Sequence, residues 1–271
     1  MPLKYTHLYQ EWVKMYRTGM SMAKIAKVHH VHPQAVMDGL VRSNEKIRTK
    51  SQAIRKYQID ENVFDILTPE AVYWLGFLYA DGGMTSAGKN LFTIGLTVAE
   101  KDKLHLDKWA KFIGGGVRVI KRPDKKAYYC SVTNKHLCHR LIELGVIQRK
   151  SLILKFPEWI DYSMAPDFMR GYFDGDGTIN VRIPKRYISP QPTVSIASSL
   201  DFCDGYGKAM AKFIGVGVPK VMRRKKIGQI SWSGTRQVAK IFRFFYGHGG
   251  VLLERKHNKM APFKDRDIIR S

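Results

Sequence analysis

Cysteine is scarce in this chain of 271 residues: only Cys130, Cys138 and Cys203 occur, with no CxxC pair. An odd count without ligand spacing excludes a zinc knuckle and a disulfide frame, and points to free thiols in a reducing compartment. Acidic side chains are few as well, 23 against 46 Lys and Arg, a net charge of +23. Self-repulsion on that scale costs stability, so a polyanionic partner is expected, and nucleic acid leads. No apolar run approaches the roughly 20 residues of a spanning helix. The opening MPLKYTHLYQ has no apolar stretch of a secretory signal. These absences argue against a membrane partner and predict a cytoplasmic protein, of a bacterium, a phage or an organelle. Glycine-rich GGG (114–116) and AGK (87–89) lack phosphate-loop spacing and read as turns. What is present is 44% apolar and 11% aromatic residues, the composition of a folded protein with a substantial core.

Residues 8–48 carry helical periodicity in short pieces. Leu8, Trp12, Met15 and Tyr16 share one face, Gly19 breaks the pattern, and Ser21 suits an N-cap for SMAKIAKVHH. Pro33 then opens PQAVMDGLVRS. His29, His30 and His32 are too crowded for a metal site and read as turn residues. The stretch MSMAKIAKVHHVHPQAVMDGLVRSNEKIRTK resembles the helix-turn-helix family, with Ile25, Ala26, Val36 and Leu40 facing the core. That resemblance implies a DNA-binding domain over 1–50 whose His32, Gln34, Asp38 and Arg42 face the major groove, with Arg48 and Lys50 on phosphates. The alternative is a three-helix packing module that touches no DNA. Residues 51–66 read as a linker that contacts either DNA or the following domain.

Beyond residue 66 the chain repeats itself. WLGFLYADG (74–82) and MRGYFDGDG (169–177) both place glycine third, an acid eighth and glycine ninth. An Asp-Gly helix stop explains one such segment, but the resemblance continues. WAKFIGGGV (109–117) and MAKFIGVGV (210–218) agree at seven of nine positions, and basic turns IQRKS and LERKH close the halves. The pattern predicts an α+β fold of two pseudo-symmetric αββαββα repeats, 67–160 and 161–271. Gly76 and Ala80, and Gly171 and Gly175, form stripes of small residues four apart. Such stripes let two helix backbones touch. Packed through them, the helices would set Asp81 beside Asp176, 95 residues away in sequence.

Electrostatics disfavours that arrangement unless something else binds. A carboxylate at a helix C-terminus faces the negative end of the dipole, at a cost of roughly 0.3–1 kcal/mol. Two acids sharing a site repel further. A divalent metal between the acids and a phosphate relieves both, and hard oxygen ligands suit Mg²⁺. Acids, metal and a basic surface together describe metal-assisted phosphodiester hydrolysis.

The doubled motif, with its following strands, resembles the LAGLIDADG homing endonucleases in their single-chain form. The resemblance implies a DNA-binding saddle of antiparallel sheets and a monomer that cuts both strands of a long asymmetric target. It implies Asp81 and Asp176 as catalytic metal ligands, with the carbonyls of Ala80 and Gly175 as further ligands. It also implies Lys150 and Lys256, with Arg149 and Arg255 as alternatives, near the attacking water. Mg²⁺ is the implied cofactor, Mn²⁺ a substitute, and Ca²⁺ an ion that supports binding without cleavage. Glu100 and Ser198 lie at strand ends that line the metal pocket in the family. At the sixth position this chain has Asp174 in one motif and Tyr79 in the other, so Asp174 reads as dispensable.

Strand patterning supports a DNA-facing sheet on its own terms. In GTINVRI, Thr178, Asn180 and Arg182 alternate with apolar Ile179, Val181 and Ile183. Arg118, Lys121 and Arg122, and Arg223, Arg224 and Lys226, recur after the two KFIG segments as candidate phosphate or base contacts. Two rival functions use the same scaffold: a non-cleaving DNA-binding regulator and an RNA-splicing maturase. Paired acids argue against the first, and a helix-turn-helix suited to duplex DNA argues against the second.

Overall fold

A computed structural model describes residues 4–48, 59–86, 88, 91–148, 152–183 and 190–266. The chain divides into two compact units, Met1–Tyr57 and Gln58–Ser271.

In the first unit, helix α1 (Tyr9–Arg17) stops before Gly19, which adopts a left-handed φ of 96°. Helix α2 (Met22–Val28) begins at Ser21, whose hydroxyl accepts the N–H of Lys24 at 3.2 Å. Helix α3 (Pro33–Arg42) starts on Pro33, with His32 as its N-cap. Trp12, Val13, Tyr16, Ile25, Ala26, Val36 and Leu40 are buried together, so the periodic apolar face becomes this unit's own core.

The second unit holds both repeats. The first runs α4 (Pro69–Asp81), β1 (Gly82–Ser86), β2 (Phe92–Ala99), α5 (Lys103–Phe112), β3 (Ile120–Lys121), β4 (Ala127–Thr133) and α6 (Lys135–Glu143). The second runs α7 (Ala165–Asp176), β5 (Thr178–Arg182), β6 (Gln191–Ser198), α8 (Leu200–Ile214), β7 (Met222–Arg224), β8 (Ile227–Ser233) and α9 (Thr235–Tyr246), and α10 (Glu254–Met260) follows. Each repeat builds one antiparallel sheet of the same order, β1-β2-β4-β3 and β5-β6-β8-β7. This is the α+β architecture of paired αββαββα repeats that the sequence predicts.

Helices α4 and α7 lie at the centre. Ala71 through Ala80 are all buried, because α4 is packed on every side rather than along one stripe. The glycine stripes are where the two backbones meet. A Cβ on Gly76 would fall 2.0 Å from the Phe168 carbonyl oxygen, and one on Gly171 would fall 2.0 Å from that of Tyr73.

Of the two contacts expected for residues 51–66, DNA or the following domain, the described residues 59–66 make the second and pack within the second unit. Phe64 is fully buried with its ring against Phe112, and the Asp60 N–H donates to the Ile113 carbonyl at 3.0 Å. One expectation is corrected: alternation along β5 stops early, since Ile179 is buried but Val181 is 38% and Ile183 70% exposed. Strand β5 is the edge of its sheet, and its outer end leaves both faces open. Cys130, Cys138 and Cys203 are free and buried, and burial pushes the Cys130 thiol up to about 12. Among the described residues no helix is long and apolar enough to cross a membrane.

Candidate active site

The two central helices end on Asp81 and Asp176, and both carboxylates are exposed. The chain then turns directly into β1 and β5 through Gly82 and Gly177, whose φ values of −66° and −73° suit any residue. Glycine is needed there for space, not for a left-handed cap. A Cβ would lie 2.5 Å from the Leu78 carbonyl oxygen at Gly82 and 2.4 Å from that of Phe173 at Gly177. The helix ends are also in contact. A Cβ on Gly175 would fall 2.4 Å from the Ala80 Cβ and 3.5 Å from Asp81 Oδ2. Asp81 therefore lies against the residue that precedes Asp176.

Two clefts flank this junction, and each mixes the repeats. One, of about 320 Å³, places Asp81 with Phe77, Thr97 and Asp102 of its own repeat and with Gly175, Leu253 and Arg255 of the other. The other, of about 260 Å³, places Asp176 with Tyr172 and Ser198 of its own repeat and with Tyr79, Ala80 and Leu154 of the other. The tail of each repeat thus crosses to the opposite acid. Arg255 clamps Asp102 with two hydrogen bonds of 3.0 and 2.9 Å, and Ser199 donates its hydroxyl hydrogen to the Leu154 carbonyl.

No protein-family model matches the chain, and no curated protein sequence matches it. Solved structures do. The LAGLIDADG meganuclease I-AabMI bound to uncleaved DNA superposes with a TM-score of 0.53 at 14% identity, covering 74% of this chain and 90% of that one. I-SmaMI bound to an uncleaved DNA target with calcium ions gives 0.52 at 14%, covering 75% and 92%. The homing endonuclease I-GzeII in complex with its DNA target gives 0.52 at 10%, covering 74% and 89%. The fold is that of the LAGLIDADG homing endonucleases.

Within this LAGLIDADG fold, Lys256 is 3% exposed and donates to the carbonyls of Phe173 at 2.6 Å and Gly175 at 2.9 Å. It adds a second donor to the Phe173 carbonyl, which already accepts the Gly177 N–H at 2.8 Å, and supplies one to the Gly175 carbonyl near the helix end. Burial holds its ammonium down to about 8, against the opposing pull of Asp174. One of the carbonyls assigned to metal, that of Gly175, therefore already accepts a lysine. Asp174 is not dispensable to the architecture. Its buried carboxylate accepts the hydroxyl hydrogens of Tyr73 at 2.8 Å and Tyr246 at 3.1 Å and the N–H of Leu253 at 2.8 Å. Burial nonetheless pushes it up to about 6. Its counterpart Tyr79 donates to the Leu144 carbonyl at 2.7 Å. Periodicity carried no signal for either tether, because each partner lies on an irregular tail. Ser198 lines the Asp176 cleft, whereas Glu100 pairs with Lys121 at 2.7 Å.

The basic residues fall mostly at sheet edges. Thr178, Asn180 and Arg182 are exposed along β5, and Arg223 and Arg224 are exposed on β7, with Lys226 in the turn after it. Arg224 donates to Gln229 at 3.2 Å. Arg118 is exposed before β3, Lys121 sits on β3, and Arg122 follows it, 3.4 Å from Asp124. In the first unit, Gln34 on α3 donates to Asp38 at 2.9 Å and Arg42 is exposed at the helix end. Arg48 folds back instead. Its guanidinium stacks 4.0 Å from the Tyr16 ring and donates to the carbonyls of Gly19, at 3.0 Å, and Met20. Its two terminal nitrogens are committed to holding the small unit together. Lys50, Arg149 and Lys150 lie outside the described residues.

The donor set at the helix ends is oxygen only. Among the described residues no group of three or more His, Cys, Asp and Glu is placed to hold a metal. Two carboxylates with backbone carbonyls fit a hard ion such as Mg²⁺, which keeps waters and takes few protein ligands. They suit zinc poorly, since its sites are built mainly on His and Cys with any carboxylate beside them.

Proposed function

We propose that the protein is a site-specific double-strand DNA endonuclease, with Mg²⁺ held by Asp81 and Asp176. The observation that carries this reading is that two helix ends abut, each closing on the acid of one motif copy, with Asp81 against the Gly175 that precedes Asp176, in a chain of net charge +23. A DNA-binding regulator has no chemical use for such a pair. The solved neighbours I-AabMI and I-GzeII, both bound to DNA, support the same substrate.

Asp81 and Asp176, with the Ala80 carbonyl, would hold the ion. When bound, it supplies charge stabilisation for the attacking and leaving oxygens of an in-line displacement. The chain's own residues do the rest. Lys256, fixed on the Phe173 and Gly175 carbonyls, puts a positive charge behind both acids. The clefts beside Asp81 and Asp176 each take one scissile phosphate. Thr178, Asn180, Arg182, Arg223, Arg224 and Lys226 on one sheet, and Arg118, Lys121 and Arg122 on the other, engage bases and phosphates along a long asymmetric target. The N-terminal unit extends the footprint through Gln34 and Arg42 on α3.

Incubation with a randomised duplex library tests this directly. Defined double-strand cuts in Mg²⁺, with bound but uncut duplex in Ca²⁺, are expected. Specific binding without cutting in Mg²⁺ or Mn²⁺ would make the protein a regulator and overturn the reading.

A further inference from the structure

We propose that the sixth residue of each LAGLIDADG motif, Asp174 in one and Tyr79 in the other, is a positioning residue for the opposite half-site. The inference rests on the endonuclease reading above. On a helix, residues two apart point roughly 200° away from each other, so positions six and eight of one motif face opposite clefts. The structure follows that rule. Asp174, two residues before Asp176, lines the cleft of Asp81, and Tyr79, two before Asp81, lines the cleft of Asp176.

Each sixth residue also tethers the tail that crosses to the cleft it lines. Asp174 accepts the N–H of Leu253 at 2.8 Å, immediately before α10 delivers Arg255 and Lys256. The Asp174 carboxylate is itself fixed by the hydroxyls of Tyr73 and Tyr246. The same tail is fastened from the Asp81 side, where Lys108 donates to the Leu252 carbonyl at 3.2 Å and Arg255 clamps Asp102. Tyr79 donates to the carbonyl of Leu144, just past α6, and Leu154, further along the same repeat, lines the Asp176 cleft. A buried carboxylate and a buried phenol thus do one job by different chemistry. Loosening one tail moves the wall of the cleft it lines more than that of the other, although the α10 tail also carries Lys256 close to both acids. The consequence is strand-specific: each sixth residue governs cutting at the acid it does not share a helix with.

The test is single-turnover cleavage of the protein's own target in Mg²⁺, with each strand carrying a different 5′ fluorophore. Asp174→Ala is expected to slow one strand on the order of 10- to 100-fold, the scale of a small misplacement at a reacting centre. Tyr79→Phe is expected to slow the other strand. Asp174→Asn, which keeps an acceptor for the Leu253 N–H, should restore most of the lost rate. Affinity for the target in Ca²⁺ should stay unchanged in all three. Equal slowing of both strands, or slowing of the same strand by Asp174→Ala and Tyr79→Phe, overturns the proposal. If Asp174→Ala does not fold, Tyr246→Phe, which removes one donor from Asp174, replaces it, again with the opposite strand to Tyr79→Phe expected. A wild-type protein that cuts neither strand would instead count against the endonuclease reading.

Discussion

Replacing Gly76 with alanine should push the two central helices apart, although alanine is the better helix former. The added Cβ would sit 2.0 Å from the Phe168 carbonyl oxygen, 2.9 Å from the carbonyl carbon and 3.0 Å from the Tyr172 nitrogen. All three are backbone atoms, so no rotamer change relieves the contact. Restoring even 3.0 Å to the oxygen requires the helices to separate by 3.0 − 2.0 = 1.0 Å. Because α4 is buried along its length, that shift disturbs packing on every side. Alanine gains about 1 kcal/mol in helix propensity over glycine, against an overpacking cost of about 1–3 kcal/mol or more. With the cost at about 3 kcal/mol or beyond, the net loss is about 2 kcal/mol, or a melting temperature lower by about 4–8 °C. Displacing Asp81 by a similar distance should also slow cleavage on the order of 100-fold. Thermal unfolding followed by circular dichroism and single-turnover cleavage measure the two effects. A Gly76→Ala protein that melts higher and cuts at the wild-type rate would refute the close-contact argument. Gly171→Ala, whose Cβ would meet the Tyr73 carbonyl oxygen at 2.0 Å, should behave alike.

Three further outcomes follow from other parts of the fold. Burial holds His105 down to about 4, from an ordinary value of 6.5. The unfolded chain therefore binds more protons between those values, so stability present above pH 6.5 is lost as pH falls toward 4, by about 3 kcal/mol. The raised carboxyl of Asp174 gains stability over nearly the same range as pH falls and offsets most of that loss. Wild-type urea midpoints at pH 7 and pH 4.5 should therefore lie close together. His105→Gln, which removes only the histidine's share, should become relatively more stable at pH 4.5 than at pH 7. Lys256→Met takes the lysine donor from the Gly175 carbonyl, while the Phe173 carbonyl keeps the Gly177 N–H, at a cost of about 1–3 kcal/mol for an unsatisfied group. It should reduce cleavage while target binding in Ca²⁺ persists, and undiminished cleavage would remove the lysine from the site. Deleting residues 1–50 should weaken binding, shorten the protected footprint and reduce the steepness with which salt weakens affinity. An unchanged footprint would leave the first unit without a DNA-binding role.

The sequence exposes those features that local chemistry dictates. Ser21, Pro33 and Gly19 punctuate α1 to α3 because caps and breakers act over a few residues. The order of helices and strands follows from matching two imperfect copies against each other. The small-residue stripes, read from spacing alone, are the contact between α4 and α7. What the sequence hides is set across long separations by irregular backbone. Nothing periodic marks Leu253 as the partner of Asp174, 79 residues away, or the exchange of tails between clefts. Comparing Asp174 with Tyr79 by residue type suggested that the position is free. Their shared task is visible only when the tails are in place. Arg48 misleads in the other direction, since a basic residue after a recognition helix reads as a phosphate contact but here stacks on Tyr16. Residues 59–66 look like a polar linker because Phe64 is a lone aromatic there, yet it is fully buried.

The most direct test of the central claim is cleavage of the selected target by the Asp81→Asn, Asp176→Asn double variant in Mg²⁺, alongside its affinity for the same duplex. Asparagine keeps the size and hydrogen-bonding reach of each side chain while removing the charge that would hold a cation. No cut in either strand is expected, with a footprint equal to that of the wild type. Full cleavage by the double variant would contradict the claim.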